Sequence, residues 1–222
     1  MKRQILVIGL GQFGMALARA VSDRGHEVLA VDRNAERVQE ASTFVDQAVA
    51  LDATDEHALA RLAPERRDVV VSAIGDEGRE AAIIVTALCR QMGARHVVAR
   101  ATDSVMERIL TLVGAHEVVN PEKAYGQRLA GRLLFTGVIE ETPLGPGLAV
   151  AEFVAPGAIV GRSLAQLELP RRFAVTVVAV RRQNETGADV IMPDAATFVA
   201  AGDVLVVVGK AGAAQELVER LG

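Results

Sequence analysis

A glycine-rich turn between an apolar run and a helix-like segment is the feature that most constrains the fold of this chain. The run Ile5-Leu6-Val7-Ile8 predicts a buried strand, and the turn after it has the spacing G-x-G-x-x-G. The turn consists of Gly9, Leu10, Gly11, Gln12, Phe13 and Gly14. Such glycines permit a tight turn, a close approach of the backbone to a pyrophosphate, and close packing of helix on strand. The pattern therefore predicts a Rossmann-type nucleotide-binding domain.

Apolar runs alternate with helix-like segments over the first 120 residues. We expect strands at residues 5–8, 28–31, 47–51, 68–74, 95–100 and 116–119, with helices at 13–23, 34–41, 55–62, 80–92 and 103–113 between them. Six successive steps of this kind predict an α/β fold with a doubly wound parallel sheet and helices on both faces. We assign residues 1–120 to this domain.

The pattern changes in the second half of the chain. Pro121 suits the first position of a helix that should run to about Phe135, so we assign residues 121–136 to a crossover helix. The turn-rich segment 142–147 is expected to continue neither helix nor strand. Strands are expected at 148–154, 174–180, 190–192 and 204–208, with helical segments at 163–167 and 211–221. Residues 137–222 should therefore form a small α+β domain.

Candidate ligand contacts fall at the ends of the predicted parallel strands. Asp32 ends the second strand 18 residues after Gly14, where an acid binds a ribose hydroxyl. A carboxylate there repels a 2′-phosphate, so NADP is not expected despite Arg33, whereas NAD, ATP, ADP or AMP would fit. The same edge should also hold Asp52, Ala53, Thr54, Ala73, Ile74 and Gly75. Arg100 ends the fifth strand and either contacts a phosphate or is an ordinary surface arginine.

The residues needed for catalysis are missing from the second half. A dehydrogenase needs a proton-transfer group, yet residues 140–222 contain no His, Cys or Tyr, and Lys210 is their only lysine. The four histidines fall within residues 1–120 without ligand-like spacing. The sequence therefore predicts a binding protein, not an enzyme.

Composition narrows the possible binding partners and the cellular compartment of this chain. The formal net charge of -4, the absence of Trp and the single Tyr do not favour nucleic-acid binding. No long apolar run and no signal peptide are visible, and one cysteine, Cys89, suits a reducing cytoplasm. The helix that contains Cys89 is apolar on nearly every face, so either a second subunit or neighbours in its own chain should cover it.

Several segments together resemble the RCK (KTN) regulatory subunits of the Ktr and Trk potassium uptake systems, most closely the KtrA type. They are residues 9–14, 26–32, 52–54, 73–75, 114–115 and 120–123. The resemblance covers the whole chain. It implies homodimers assembled into a cytoplasmic ring of eight subunits, docked on a membrane-embedded potassium-translocating partner of the KtrB or TrkH type. Binding of ATP or ADP would stabilise different ring shapes and so open or close the pore.

The resemblance also implies roles for individual residues. Gly9, Gly11 and Gly14 match the phosphate turn, Asp32 the ribose acid, and Arg100 a basic phosphate contact. Glu122 matches a glutamate that helps to hold a divalent cation at the dimer interface, although a helix-starting glutamate is also a favourable partner of the helix dipole. Gln12 stands where the family commonly has an arginine, which predicts weaker discrimination between ATP and ADP.

Three alternatives stay open from the sequence. Some relatives bind cyclic di-AMP through the C-domain, where this chain has Ala158-Ile159-Val160 and Arg171-Arg172, with Pro170 where a relative can carry a basic residue. An ordinary turn with two surface arginines would look the same. The chain could instead be an NAD-dependent redox sensor or oxidoreductase, or an RCK regulator of another cation transporter.

Overall fold

The chain divides into two units, Met1–Lys123 and Ala124–Gly222, in a computed structural model that describes residues 2–75, 78–134, 137–184 and 187–222. Helix α6, Pro121–Leu134, begins in the first unit and continues into the second. Phe135 and Thr136, the expected end of the crossover helix, lie outside the described residues. The divisions at residues 120 and 136 stay predictions.

The first unit is built on a six-stranded parallel sheet. Its strands are β1 Gln4–Ile8, β2 Glu27–Asp32, β3 Gln47–Ala50, β4 Val69–Ser72, β5 Val97–Arg100 and β6 Glu117–Val119. Their order is β3-β2-β1-β4-β5-β6, with every neighbouring pair parallel. The predicted doubly wound sheet is confirmed. The order reverses between β1 and β4, and a ligand of such a fold binds at the carboxyl ends of the strands at this point.

Apolar side chains fill both faces of this sheet. Along β1, Leu6 and Ile8 join one buried cluster, while Ile5 and Val7 join another. Successive side chains of a strand point to opposite faces, so a continuous apolar run marks a strand covered on both sides. This is why the runs of Val, Ile and Leu in the sequence locate the parallel strands.

The helices of the first unit differ in how they begin. They are α1 Gln12–Ser22, α2 Ala35–Ala41, α3 Glu56–Ala60, α4 Arg79–Gln91 and α5 Ser104–Leu112. The side chains of Asn34, Asp55 and Asp103 accept hydrogen bonds from the first turns of α2, α3 and α5. Gly11 precedes α1 and provides no such cap, so the first N–H groups of α1 have no side-chain acceptor from that position.

Helix α4 is buried along one side only. Ala82, Val85 and Cys89 are buried, whereas Ile84 is 43% exposed within this chain. Burial raises the pKa of the Cys89 thiol to about 12, so this cysteine stays protonated and unreactive at neutral pH. Contact between α4 and a second subunit stays a prediction. Among the described residues, no helix is long and apolar enough to cross a membrane.

The second unit is a five-stranded antiparallel sheet with short helices. Its strands are β7 Val138–Gly145, β8 Leu148–Val154, β9 Val175–Asn184, β10 Gly187–Ile191 and β11 Val204–Lys210, in the order β10-β9-β11-β8-β7. The helices are α7 Leu164–Leu167, α8 Leu169–Phe173 and α9 Ala213–Leu221. Phe153, Leu205 and Leu217 are fully buried in its core. The predicted small α+β domain is confirmed.

The expectation that residues 142–147 continue no strand is wrong. Strand β7 runs through Thr142, Pro143 and Leu144 and turns into β8 through Pro146 and Gly147. A proline in a strand is tolerated here because β7 is at the edge of the sheet, where one side of the strand needs no donor. Gly147 has φ +72, which suits the position after proline in a tight turn. Only two of the six residues form the turn.

Candidate functional site

Two glycines of the turn after β1 are required by packing within the chain. Gly9 has φ +96, and its N–H donates to the Val31 carbonyl over 2.7 Å. A Cβ at Gly9 would lie 3.0 Å from the backbone nitrogen of Ile74. A Cβ at Gly14 would lie 1.8 Å from the Gly9 carbonyl oxygen and 3.1 Å from the Cβ of Ala73. The turn is therefore pressed against the end of β4.

Gly11 is not constrained in this way. Its φ is -67, and a Cβ there would meet no atom within 4 Å. The space beside the start of α1 is therefore open, and the helix offers unpaired N–H groups and the positive end of its dipole there. The exposed Gln12 side chain makes no hydrogen bond to another described residue. These features together suit an anionic group that approaches the backbone.

Asp32 fastens the turn to the end of β2. The carboxylate is 8% exposed; Oδ2 accepts from the Leu10 N–H over 2.6 Å, and Oδ1 accepts from the Asn34 N–H over 2.8 Å. Arg37 lies 3.7 Å from Oδ2. Carboxylate oxygens can accept more than one hydrogen bond each, so Asp32 can hold the turn and also accept from a ribose hydroxyl. The structural part of this role was not expected from the sequence.

The end of β3 leads into a compact acidic turn. Asp52 Oδ1 accepts from the Thr54 hydroxyl over 2.7 Å and from the Thr54 N–H over 2.9 Å. These bonds, with a smaller contribution from the charge of Arg33, lower the pKa of the Asp52 carboxyl. Ala53 is buried in the core beneath the turn, while the Arg33 side chain is exposed. Asp52 therefore stays ionised at neutral pH.

Arg100 lies beside three other predicted site residues. Its Nη2 donates to Glu122 Oε1, and its guanidinium carbon lies 5.6 Å from the centre of the Phe13 ring. A Cβ at Gly75 would lie 3.0 Å from Arg100 Nη1. The Arg100 side chain is only 15% exposed, unlike an ordinary surface arginine, and its buried Nε has no hydrogen-bond partner within the described chain. A buried, unpartnered N–H at a strand end suits a ligand that accepts hydrogen bonds.

Two hydroxyl groups near this edge were missed in the sequence. The Oγ of Ser72, at the end of β4, and the Oγ1 of Thr102, shortly after β5, are buried without a partner in the described part of the chain. The available signal was a polar residue that ends an otherwise all-valine strand, Val69-Val70-Val71-Ser72.

The opposite edge of the sheet holds an unexpected histidine pair. The rings of His96 and His116 stack with their centres 5.3 Å apart, because β5 and β6 start side by side. The Val97 N–H donates to His116 Nδ1 over 2.8 Å. Burial, and then the charges of Arg90 and His96, lower the pKa of His116. Within the described ranges, no three His, Cys, Asp or Glu residues converge as a metal site, and the cation role of Glu122 stays a prediction.

The residues that could contact cyclic di-AMP, 158–160 and 171–172, lie partly in the core and partly on the surface of the second unit. The Ile159 side chain is fully buried in the core of the second unit. Arg171 and Arg172 are exposed on α8 and line an open cavity of about 440 Å³ together with Lys210. Ile159 is therefore not available to a ligand in this arrangement, whereas the two arginines are.

Two domain-family models match most of this chain. A model of the TrkA-N domain matches residues 5–121, and a model of the TrkA-C domain matches residues 148–222. Ktr system potassium uptake protein A of Vibrio alginolyticus is 38% identical over 93% of this chain and 92% of its own length. Ktr system potassium uptake protein C of Bacillus subtilis is 31% identical over 94% of this chain and 93% of its own length.

Solved structures share the fold at lower identity. The RCK domain of GsuK has a TM-score of 0.67 and 19% identity, covering 100% of this chain and 48% of that one. The GsuK channel bound to NAD has a TM-score of 0.67 and covers 98% of this chain and 39% of that one. The fold is thus of the RCK type. The chain belongs to the TrkA-N and TrkA-C domain family that includes the Ktr potassium uptake proteins, which confirms the resemblance seen in the sequence.

Proposed function

We propose that this chain is a nucleotide-binding regulatory subunit of a potassium uptake system and not an enzyme. The observation that carries the proposal is the Arg100 side chain, which is buried beside the glycine turn with its Nε unpartnered. The two Ktr relatives are potassium uptake proteins, and this similarity supports a role in potassium uptake. Residues 140–222 contain no His, Cys or Tyr, and Lys210 is their only lysine, which argues against a dehydrogenase.

The ligand that fits best is ATP or ADP. The open space at Gly11 and the first turn of α1 suit the phosphates, with Arg100 as the charged contact. Asp32 suits the ribose hydroxyls, and residues 52–54 and 73–75 border the same edge of the sheet. NAD or NADH would satisfy the same contacts and is the second candidate, since its ribose hydroxyls could also donate to the Asp32 carboxylate.

Regulation would act through assembly. In this proposal the chains form homodimers and a ring of eight subunits in the cytoplasm, docked on a membrane-embedded potassium-translocating partner of the KtrB or TrkH type. A divalent cation held by Glu122 would lie at the dimer interface. Nucleotides shift such a ring between shapes only through their different affinities for those shapes.

A binding panel tests the ligand. Thermal shift and titration calorimetry on the full chain would use ATP, ADP, AMP, NAD, NADH and cyclic di-AMP. We expect ATP or ADP to bind, and Arg100→Gln to weaken binding at least about tenfold, as loss of a charged contact to phosphate should. Arg61→Gln, at an exposed arginine after α3, is the matched control. Binding of NAD alone would replace the first candidate with the second.

A transport assay tests the role. A host lacking its potassium uptake regulator should recover growth at low potassium when this chain is expressed with its membrane partner, and Arg100→Gln should reduce the recovery. Rescue with a transporter of another cation, and none with a potassium transporter, would reassign the chain to that system.

A further inference from the structure

The carboxylate of Glu122 pairs with the Arg100 guanidinium. Arg100 Nη2 donates to Glu122 Oε1, and the glutamate side chain is 58% exposed while the arginine side chain is 15% exposed. Carboxylates and phosphates bind the same N–H donors of a guanidinium group. An arriving phosphate therefore meets an arginine that is already paired with an anion.

The pairing leaves Arg100 incompletely satisfied. An anion that faces the Nε and Nη2 edge of a guanidinium can accept from both groups. Glu122 accepts from Nη2 only, and Nε stays buried without a partner among the described residues. The guanidinium lies near the Phe13 ring, and a Cβ at Gly75 would lie 3.0 Å from Nη1, so the glycine at this position leaves room for the guanidinium. A phosphate that is free to orient can take both donors, which a carboxylate fixed to the start of α6 does not do here.

We propose that Glu122 is a built-in competitor for the phosphate position, which a bound nucleotide displaces from Arg100. This inference rests on the proposed nucleotide-binding function and adds a regulatory step to it. Displacement breaks the side-chain tie between the end of β5 and the first turn of α6. The first turn keeps its ion pair with α5, since Lys123 Nζ lies 4.0 Å from Glu107, and its own cap, since the Lys123 N–H donates to Asn120 Oδ1 over 2.9 Å.

The site of this exchange makes it suitable for signalling. Helix α6 begins in the first unit and continues into the second, so its first turn is the stretch of chain that links the two units. A phosphate that takes Arg100 from Glu122 changes how that turn is held. Ligand occupancy is thereby converted into a change at the linking helix without any new contact to the second unit.

Glu122→Gln tests the competition directly. The substitution keeps the shape and removes the charge. ADP affinity would be measured by calorimetry on the full chain in EDTA, so that no divalent cation contributes. We expect ADP to bind Glu122→Gln about three- to fivefold more tightly than the unmodified chain, the upper part of the range for loss of a partly exposed ion pair. Glu107→Gln removes a charge beside the same helix without touching Arg100, and its affinity should stay within about twofold.

Hydrogen exchange gives the second measurement. Saturating ADP should speed exchange of the amides of residues 124–128 in the unmodified chain, whereas in Glu122→Gln these amides should exchange quickly with or without ADP. Equal or weaker ADP binding by Glu122→Gln, with normal binding by the unmodified chain, overturns the competition and leaves the proposed function intact. If neither the unmodified chain nor Glu107→Gln binds any nucleotide of the panel, the proposed function fails and the competition falls with it.

Discussion

Gly11 and Gly14 stand three residues apart in one motif, but the structure needs them for different reasons. A side chain at Gly14 would overlap the Gly9 carbonyl, whereas a side chain at Gly11 would project into open space. One glycine therefore serves the packing of helix on strand, and the other keeps the approach to the helix start clear. This difference gives a residue-level test that separates folding from binding.

Gly14→Ala should destabilise the chain by about 2–4 kcal/mol, because the backbone atom it meets cannot move aside as a side chain can. Gly11→Ala should cost less than about 1 kcal/mol, the usual difference between glycine and alanine before a helix. Gly11→Ala should nevertheless weaken nucleotide binding at least about tenfold. Urea unfolding and calorimetry on both variants check these values, and unimpaired binding by Gly11→Ala would contradict the placement of the phosphates.

The second residue-level prediction concerns Gln12 and the choice between ATP and ADP. The exposed amide at this position carries no charge, so the unmodified chain should bind ATP and ADP with affinities within about threefold of each other. Gln12→Arg adds a cation and should favour ATP, the more highly charged ligand, by at least about fivefold more. Gln39→Arg adds the same charge on an exposed face of α2 and serves as the control. Strong ATP selectivity in the unmodified chain would refute the prediction.

At the level of secondary-structure elements, the sequence best predicts the strands that are buried on both faces of the sheet. Each central strand of the parallel sheet is a short, almost entirely apolar run, so pattern alone placed β1, β2 and β4 to within a few residues. Strand β7 gave no such signal. It is an edge strand that contains Pro143 and several exposed residues, and its pairing with β8 depends on the turn at Pro146-Gly147. The sequence indicates the turn, but it does not indicate that residues 142–145 before the turn belong to a strand.

The candidate site shows the same limit. The strand-end residues followed from topology, because carboxyl ends of parallel strands meet at one edge. Contacts between distant side chains did not follow, since sequence spacing does not reveal that Arg100 lies near the Phe13 ring or leaves Nε without a partner. The structural role of Asp32 is of this kind too, because it depends on where the Leu10 N–H points.

An ion pair in the second unit supports a prediction at this level. Asp203 is fully buried and accepts from Arg182 Nε over 2.8 Å, from Arg182 Nη2 over 2.7 Å and from the Ala200 N–H over 2.8 Å. The pair ties β9 to the segment that precedes β11. Asp203→Asn should lower the free energy of unfolding by about 2–3 kcal/mol, since it leaves the arginine without its anion. Asp194→Asn, at an exposed turn, should cost less than about 1 kcal/mol.

The pH dependence of that pair has a defined sign. Hydrogen bonds from Arg182 lower the pKa of the Asp203 carboxyl, so the folded chain binds this proton less readily than the unfolded chain. The stabilisation is fully present above the unfolded value of about 3.9 and is lost as the pH falls through the lower folded value. Urea unfolding at pH 7 and at pH 3 should therefore show a smaller difference between Asp203→Asn and the unmodified chain at the lower pH.

At the level of the whole molecule, assembly is required for the proposed regulation. Ile84 projects from α4 with 43% of its surface exposed, on a helix whose other apolar side chains pack inward. If α4 contacts a second subunit, Ile84→Asp should reduce the native mass from that of the proposed eight-subunit ring to smaller species, because it buries a charge in the contact. Ala16→Asp places the same acid on an exposed position of α1 and should leave the mass unchanged. Native mass spectrometry gives both results.

Nucleotide binding and the shape of the proposed ring are thermodynamically linked. A nucleotide shifts the ring between two shapes only by the ratio of its affinities for them, so a ligand with equal affinity for both changes nothing. Gln12 carries no charge that could favour the terminal phosphate of ATP in one ring shape over the other, so we expect ATP and ADP to have similar affinity ratios and to produce similar populations of the two shapes. Small-angle scattering of the ring should show a weaker contrast between ATP and ADP than in Gln12→Arg. A large contrast in the unmodified ring would place the sensing of the terminal phosphate at another residue.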